Sequence, residues 1–202
     1  MHSLCCSFFI CEVITKEDVL LKLISANKKE SHKINKAIDK AISKNDFELL
    51  DQLRAKEREV NERSFQLYEM IAPFKCKTSL DKKVGLLEIE KFKYYIYSFE
   101  HEKIVGTIEY KNTTLGSEDV GYKIFSDYRR QGFASSALRI LCRELYSRGI
   151  RSFTASVDNT NVASIKTIKN VDPEVVSAND VRIVFRVDTQ KIFVEEKMEE
   201  MK

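Results

Sequence analysis

The chain has 202 residues, 43% of them hydrophobic and 32% charged, with a formal net charge of +3. That length suffices for one good-sized domain with a helical elaboration, and the aliphatic and aromatic content excludes an intrinsically disordered chain. The near balance of charge argues against a nucleic-acid-coating protein, and no run reaches the ~20 apolar residues that a membrane span needs. Five cysteines, Cys5, Cys6, Cys11, Cys76 and Cys142, form no CxxC pair and have no histidine at metal-ligand spacing. A reduced compartment and no metal are expected. The apolar run Leu4 to Ile14 lacks a basic flank and a small-residue cleavage site, so the expectation is a cytoplasmic protein.

In chain order, Phe8 to Ile14 is rich in aromatic and β-branched residues and predicts a strand. Thr15-Lys16-Glu17-Asp18 predicts a capped helix start, followed by a buried stripe of Val19, Leu20, Leu23 and Ile24. From Asn27 to Ala72 the sequence is charged and helical, with no glycine or proline before Pro73. Two helices are expected there, joined near Ser43 to Asp46, the second opened by an Asn45-x-x-Glu48 capping box. Pro73 to Leu86 predicts a lysine-containing loop. Leu87 to Phe99 and Lys103 to Tyr110 predict a hairpin that turns at His101-Glu102, and His101 is read as an exposed turn residue. A third strand is expected over Asp119 to Phe125.

The sequence concentrates its signals after that strand. Val120-Gly121-Tyr122-Lys123-Ile124-Phe125 alternates, and Tyr128-Arg129-Arg130-Gln131-Gly132-Phe133-Ala134-Ser135 forms a basic turn. Ala137, Leu138, Leu141, Cys142 and Leu145 then recur at helical spacing up to Arg148-Gly149, where glycine suits the closing position. A helix N-terminus offers N–H donors without partners and the positive end of a dipole. With two arginines ahead of it, and Gly132 and Ala134 keeping bulk away, the loop reads as a diphosphate site. Between Asp127 and Arg151 the basic residues Arg129, Arg130, Arg139, Arg143, Arg148 and Arg151 stand against Asp127 and Glu144.

Ile150 to Val157 predicts a strand parallel to Asp119–Phe125, because a helix separates the two. Asp158-Asn159-Thr160-Asn161 predicts a turn and cap into a short helix from Val162 to about Asn170. Val181 to Val187 and Ile192 to Val194 predict closing strands, with Glu195 to Lys202 a charged, frayed tail.

Arg129-x-x-Gly132-x-Ala134, with Val120-Gly121-Tyr122 upstream and Asn161-Val162-Ala163-Ser164-Ile165 downstream, resembles the pyrophosphate-binding signature of the GCN5-related N-acetyltransferase (GNAT) superfamily. The spacing is similar to that of the branch of ribosomal-protein N-terminal acetyltransferases, and the resemblance covers roughly residues 87 to 175. It implies a mixed α/β fold: a mostly antiparallel sheet with a splayed parallel strand pair, here with an enlarged helical region at 27–72 inside a single domain of 1–202. It implies acetyl-CoA as co-substrate, held by Tyr122, Ile124, Arg129, Arg130, Gln131, Gly132, Phe133, Ala134, Ser135 and Asn161. By the same resemblance Asp119 is the first choice of base and Glu118 the second. Ser164 lies near the sulfur.

The implied reaction is direct acetyl transfer in a ternary complex. The acceptor is left open among a protein N-terminus, a lysine, a polyamine and a small amine, with no nucleic acid or membrane partner. One departure is visible: the Lys-x-Gly-Phe-like end usual after the Asn-x-x-Ser helix is Asn170-Val171-Asp172-Pro173 here. Asn170 in a left-handed conformation, and Pro173, are expected to end that helix. The departure motivates a second reading, a catalytically weak CoA-binding or protein-interaction module. A third reading is a homodimer assembled through the helical region.

Overall fold

A computed structural model describes residues 15–78, 80, 82–112 and 118–201. The strand expected over Phe8 to Ile14, and Cys5, Cys6 and Cys11, lie outside the described residues. The chain divides into two compact units, Met1–Ile71 and Ala72–Lys202.

The first unit is a helical hairpin. Helix α1, Lys16–Ser43, starts on a reciprocal cap: Asp18 N–H donates to Thr15 Oγ1 (3.1 Å) and Thr15 N–H to Asp18 Oδ2 (2.9 Å). It runs unbroken, burying Leu20, Ile24, Asn27, Ile34 and Ala41, whereas Val19 and Leu23 of the expected stripe are exposed. Helix α2, Phe47–Lys75, follows after three residues. Its cap is Asp46, whose Oδ1 accepts from Leu49 N–H (3.1 Å), rather than the expected Asn45. Asn45 takes a left-handed conformation (φ +55°) and Asp46 N–H closes back on Ala41 O (3.1 Å), so asparagine ends one helix and aspartate begins the next. Across the hairpin the buried Asn27 amide donates to Val60 O (3.0 Å) and Ser64 Oγ (2.6 Å). Apolar packing alone would let two such helices slide, and these directional bonds fix their register.

Pro73 does not stop α2, contrary to the loop expected from that residue: the helix runs on to Lys75, and Cys76 N–H closes the last turn on Ala72 O (3.0 Å). Among the described residues the second unit is a mixed sheet of eight strands. They are β1 Lys77–Thr78, β2 Val84–Glu90, β3 Lys93–Ser98, β4 Lys103–Asn112, β5 Glu118–Ile124, β6 Ser152–Asp158, β7 Glu174–Ala178 and β8 Arg182–Asp188. Their order is β1-β2-β3-β4-β5-β6-β8-β7, antiparallel throughout except for the parallel pair β5 and β6. The splayed, mostly antiparallel sheet expected from the sequence is therefore present.

Helix α3, Phe133–Ser147, crosses between β5 and β6 and fills the core with Phe133, Ala137, Leu138, Ile140, Leu141, Cys142 and Leu145. These pack with Ile96, Ile108, Phe153, Phe185 and Val187 of the sheet. Burial pushes the Cys142 thiol well above the usual range, which suits a packing residue and not a nucleophile. Helix α4, Val162–Lys169, follows β6, and helix α5, Thr189–Glu200, follows β8.

Three further expectations are corrected. The strand read as Leu87 to Phe99 is two strands, β2 and β3, separated by a turn at Lys91-Phe92. That turn contains no glycine, proline or asparagine. Phe92 sits at φ +63°, its N–H donates to Glu88 Oε1 (3.2 Å), and its ring packs edge-on against Tyr110 at 5.3 Å. Ile192 to Val194, read as a strand, and residues 195–200 of the tail lie in α5. Asp188 caps that helix through Gln190 N–H (2.8 Å) and Lys191 N–H (3.2 Å), and tertiary contacts override the β-branched composition. Ile192 is buried, Phe193 stacks on Tyr146 at 4.6 Å, and the nearly buried Glu196 meets Arg139 (3.2 Å) and Arg143 (3.1 Å) of α3. At the end of α4, Asn170 is right-handed (φ −70°) and Asp172 takes the left-handed turn (φ +44°), paired with Lys191. Aspartate thus stands in the conformation that glycine would occupy more cheaply.

Two outcomes are expected in denaturant unfolding. Glu196→Ala removes the nearly buried carboxylate that two partly buried arginine head groups share and lowers stability by about 3 kcal/mol, while Glu196→Gln costs less. Asp172→Gly relieves the left-handed strain and loses an exposed ion pair, for a net gain of up to ~1 kcal/mol.

Candidate functional site

The site is built where the sheet parts. β4 and β5 pair from Gly106↔Ile124 to Asn112↔Glu118, and β6 and β8 from Ser152↔Asp188 to Asp158↔Arg182. β5 and β6 are bridged at one pair, Asp119 and Thr154. Beyond it lies a gap of about 170 Å³ between Val120–Tyr122 and Ala155–Asp158, bordered also by Asn161, Ser164 and Ile168. Tyr122, Asn161 and Ser164 border this gap and also a larger cleft of about 1000 Å³, which opens toward the start of α3.

The floor of the cleft is the turn from β5 into α3. After β5 a single 3-10 turn, Ser126–Tyr128, leads to Arg129, whose Nε donates back to Ile124 O (3.2 Å). Arg130 (φ +61°) and Gly132 (φ +82°) both take left-handed conformations, and Gly132 is the N-cap of α3. A Cβ at Gly132 would stand 3.4 Å from Lys83 Nζ. Gly132 O accepts from Ser135 N–H (3.1 Å) and Ser136 N–H (3.2 Å), so of the first turn of α3 it is the Phe133 and Ala134 N–H groups that find no acceptor within the helix. Gly132, Ala134 and Ser135 line the cleft beside Arg129 and Arg130. Phe133 also borders it, while its side chain is buried and anchors the loop in the core.

The opposite wall is α4. Asn161 caps this helix, its Oδ1 accepting from Ser164 N–H (3.1 Å). Tyr122 Oη reaches from β5 to donate to Ser164 O (3.2 Å), and burial raises the Tyr122 pKa while these contacts partly offset it. The hydroxyl therefore stays protonated and ties β5 to α4.

The structure brings together most of the residues singled out in the sequence: Tyr122, Ile124, Arg129, Arg130, Gly132, Phe133, Ala134, Ser135, Asn161 and Ser164 all border one cleft. Gln131 does not border it. Its Oε1 lies 3.0 Å from His101 Nε2 and its Nε2 donates to Asp127 O (3.4 Å), bracing the loop from behind. His101, read as an exposed turn residue, is half-buried against the rings of Tyr128 (5.3 Å) and Phe133 (5.7 Å). Asp119 lies at the closed end of the gap, half-buried, in the residue pair where β5 and β6 still meet. The Glu118 side chain lies outside the described residues.

The arginine bias divides by function. Arg129 and Arg130 border the cleft, whereas Arg139 and Arg143 pair with Glu196, Arg148 grips Glu88 (2.8 and 2.5 Å), and Arg151 stacks over Tyr146 (4.2 Å). Sequence reasoning missed Lys123 and Lys166, which add two more cations to the cleft. Strand alternation hides the first and the surface of a short helix the second, so neither carries a motif. Among the described residues no carboxylate borders the cleft. A helix N-terminus with four cations and no acid is chemistry for an extended polyanion, and the adjoining gap offers strand backbone and short polar side chains. Among the described residues no His, Cys, Asp or Glu group is arranged to hold a metal, and no helix is long and apolar enough to cross a membrane.

Residues 40–172 match the family model described as acetyltransferase (GNAT) domain. No curated protein matches the chain. Among solved structures, the chain is similar to the ribosomal-protein-S5-alanine acetyltransferase of Vibrio fischeri (14% identity, 64% of this chain and 72% of that one, TM-score 0.43). It is also similar to an N-acetyltransferase of Campylobacter jejuni in complex with acetyl coenzyme A (18% identity, 49% and 70%, TM-score 0.40). Against an acetyltransferase of Agrobacterium tumefaciens (15% identity, TM-score 0.42) the match takes in 46% of this chain and spans 58% of that protein's length. With a family match that runs from the last turn of α1 to just past the end of α4, the chain belongs to the acetyltransferase (GNAT) domain family.

Proposed function

We propose that the protein is an acetyl-CoA-dependent N-acetyltransferase that moves the acetyl group to a primary amine in a ternary complex. The observation that carries this reading is the continuity of the cation-lined cleft with the gap between β5 and β6. The cleft suits the phosphates, and the gap suits an extended arm with a reactive end. Arg129, Arg130 and the start of α3 would hold the diphosphate, and Tyr122, Ile124 and Asn161 the arm. When bound, acetyl-CoA supplies an activated acyl group and a thiolate leaving group.

The chain's own residues would do the rest largely by positioning. Backbone N–H groups of β5 that face the gap can donate to an oxygen that gains charge during transfer, worth about 3 kcal/mol per donor in comparable sites. Asp119, at the closed end of the gap, is proposed to take the proton from the incoming ammonium through a water, since its short side chain lies in the last paired position. Ser164, which borders both cavities, is proposed to supply a proton at the sulfur end. The acceptor class is proposed as a protein N-terminus, lysine or small amine.

Because Asp119 does not border the gap itself, a second reading is favoured by a specific observation: a domain that holds CoA without turnover. Titration calorimetry tests the co-substrate. Gly132→Glu places a carboxylate and a strained backbone in the anion loop and is expected to weaken acetyl-CoA binding by about 100-fold or more. Binding unchanged in this variant, or none in the wild type, would remove the cofactor assignment. Thiol release with a panel of amines tests turnover. Asp119→Asn is expected to slow CoA release by about 100-fold or more with acetyl-CoA affinity unchanged. Full activity in this variant would exclude Asp119 as base, and no amine-dependent release by the wild type would favour the non-catalytic reading.

A further inference from the structure

Ser135 sits in the first turn of α3 and borders the cleft, and its Oγ accepts a hydrogen bond from Asn170 Nδ2 at 2.8 Å. Asn170 is the closing residue of α4, the helix whose residues form the opposite wall. One side-chain bond therefore joins the two walls at a point where the backbone does not. Asn170 is itself held: its carbonyl accepts from Arg139 Nη1 (3.4 Å), and Arg139 Nε is fixed by the nearly buried Glu196 (3.2 Å). An amide N–H2 only donates, whereas a hydroxyl that accepts from it keeps its own hydrogen for another acceptor. The Ser135 hydrogen is thereby left to point at whatever anion occupies the cleft beside Arg129 and the start of α3.

We propose that Asn170 is a positioning residue of the cleft. It orients the Ser135 hydroxyl as a donor to a phosphate oxygen and holds the α3 and α4 walls at a fixed separation. The inference rests on the acetyl-CoA reading and goes beyond it, because it gives a role to the position where the chain departs from the Lys-x-Gly-Phe-like pattern. Asparagine there does not end the helix by a left-handed turn, which Asp172 makes instead. It spends its amide on the loop across the cleft.

The test is titration calorimetry with acetyl-CoA on the wild type, Ser135→Ala, Asn170→Ala, Asn170→Asp and the Ser135→Ala/Asn170→Ala double variant, each with its thermal midpoint. A hydrogen bond to a charged group is at stake, so each alanine variant is expected to bind about tenfold more weakly. The double variant is expected to bind no more weakly than Ser135→Ala, since the two residues act as one unit. Asn170→Asp is the discriminating variant. It keeps the side-chain shape, but its carboxylate would accept from Ser135, turn the hydroxyl hydrogen away from the cleft and repel phosphate. It is therefore expected to bind more weakly than Asn170→Ala, whereas a mere packing role makes it the milder change.

Affinity of Asn170→Ala within about twofold of the wild type, losses that multiply in the double variant, or Asn170→Asp binding more tightly than Asn170→Ala would each overturn the inference while leaving the cofactor reading intact. No binding by the wild type would overturn the cofactor reading, and this inference with it.

Discussion

The second unit depends on a constraint that a continuous sheet would not face. Two parallel strands must stay in one sheet while their backbones are held apart. A buried strand edge normally pairs every N–H and C=O, because leaving them without partners costs about as much as a lost hydrogen bond each. Here β5 and β6 meet at Asp119 and Thr154 and then part. The separation is held from outside. β4 grips β5 along its length, β8 grips β6 along its length, and α3 packs against β5 with a fully buried stripe. Backbone groups that face the gap keep their hydrogen-bonding capacity for a guest, and Tyr122 crosses to Ser164 as a strut.

The same arrangement accounts for the electrostatics. Among the described residues four cations collect at the floor and rim of the cleft without a carboxylate, while arginines further along α3 are neutralised by Glu196 and Glu88. The charge is concentrated where the helix N-terminus adds its own positive end, so a modest formal charge of +3 over the chain conceals a strongly cationic site.

Much of this was legible in the sequence because the relevant steps are local. Gly132 between a basic turn and an apolar helical stripe predicts an uncrowded loop at a helix start, and Asn161 three residues before Ser164 predicts a helix cap, since both depend on neighbours in the chain. What was not legible depended on partners far away. The turn at Phe92 carries no turn residue and is stabilised by Glu88 and Tyr110. Ile192 looks like part of a strand until Glu196, four residues on, is seen to meet Arg139 and Arg143. The left-handed turn expected of Asn170 is made by Asp172, because Asn170 finds Ser135 and Asp172 finds Lys191, contacts that no spacing announces. His101 and Gln131 likewise reveal a bracing role only through their contact across the loop.

The bond from Thr189 to Ile150 and the ion pairs of Glu196 bear on the order in which the molecule can be made. Thr189 Oγ1 donates to Ile150 O at 2.7 Å, just before β6, and Asp188 both ends β8 and caps α5. Every residue that borders the cleft precedes this segment. A chain synthesised from its N-terminus therefore exposes the loop, α3, β6 and α4 before the strand and helix that hold β6 in place exist. Until β8 is made, the edge of β6 from Ser152 to Asp158 lacks the strand that pairs with it in the finished sheet. The cleft is complete only after the segment that contributes nothing to its lining has emerged.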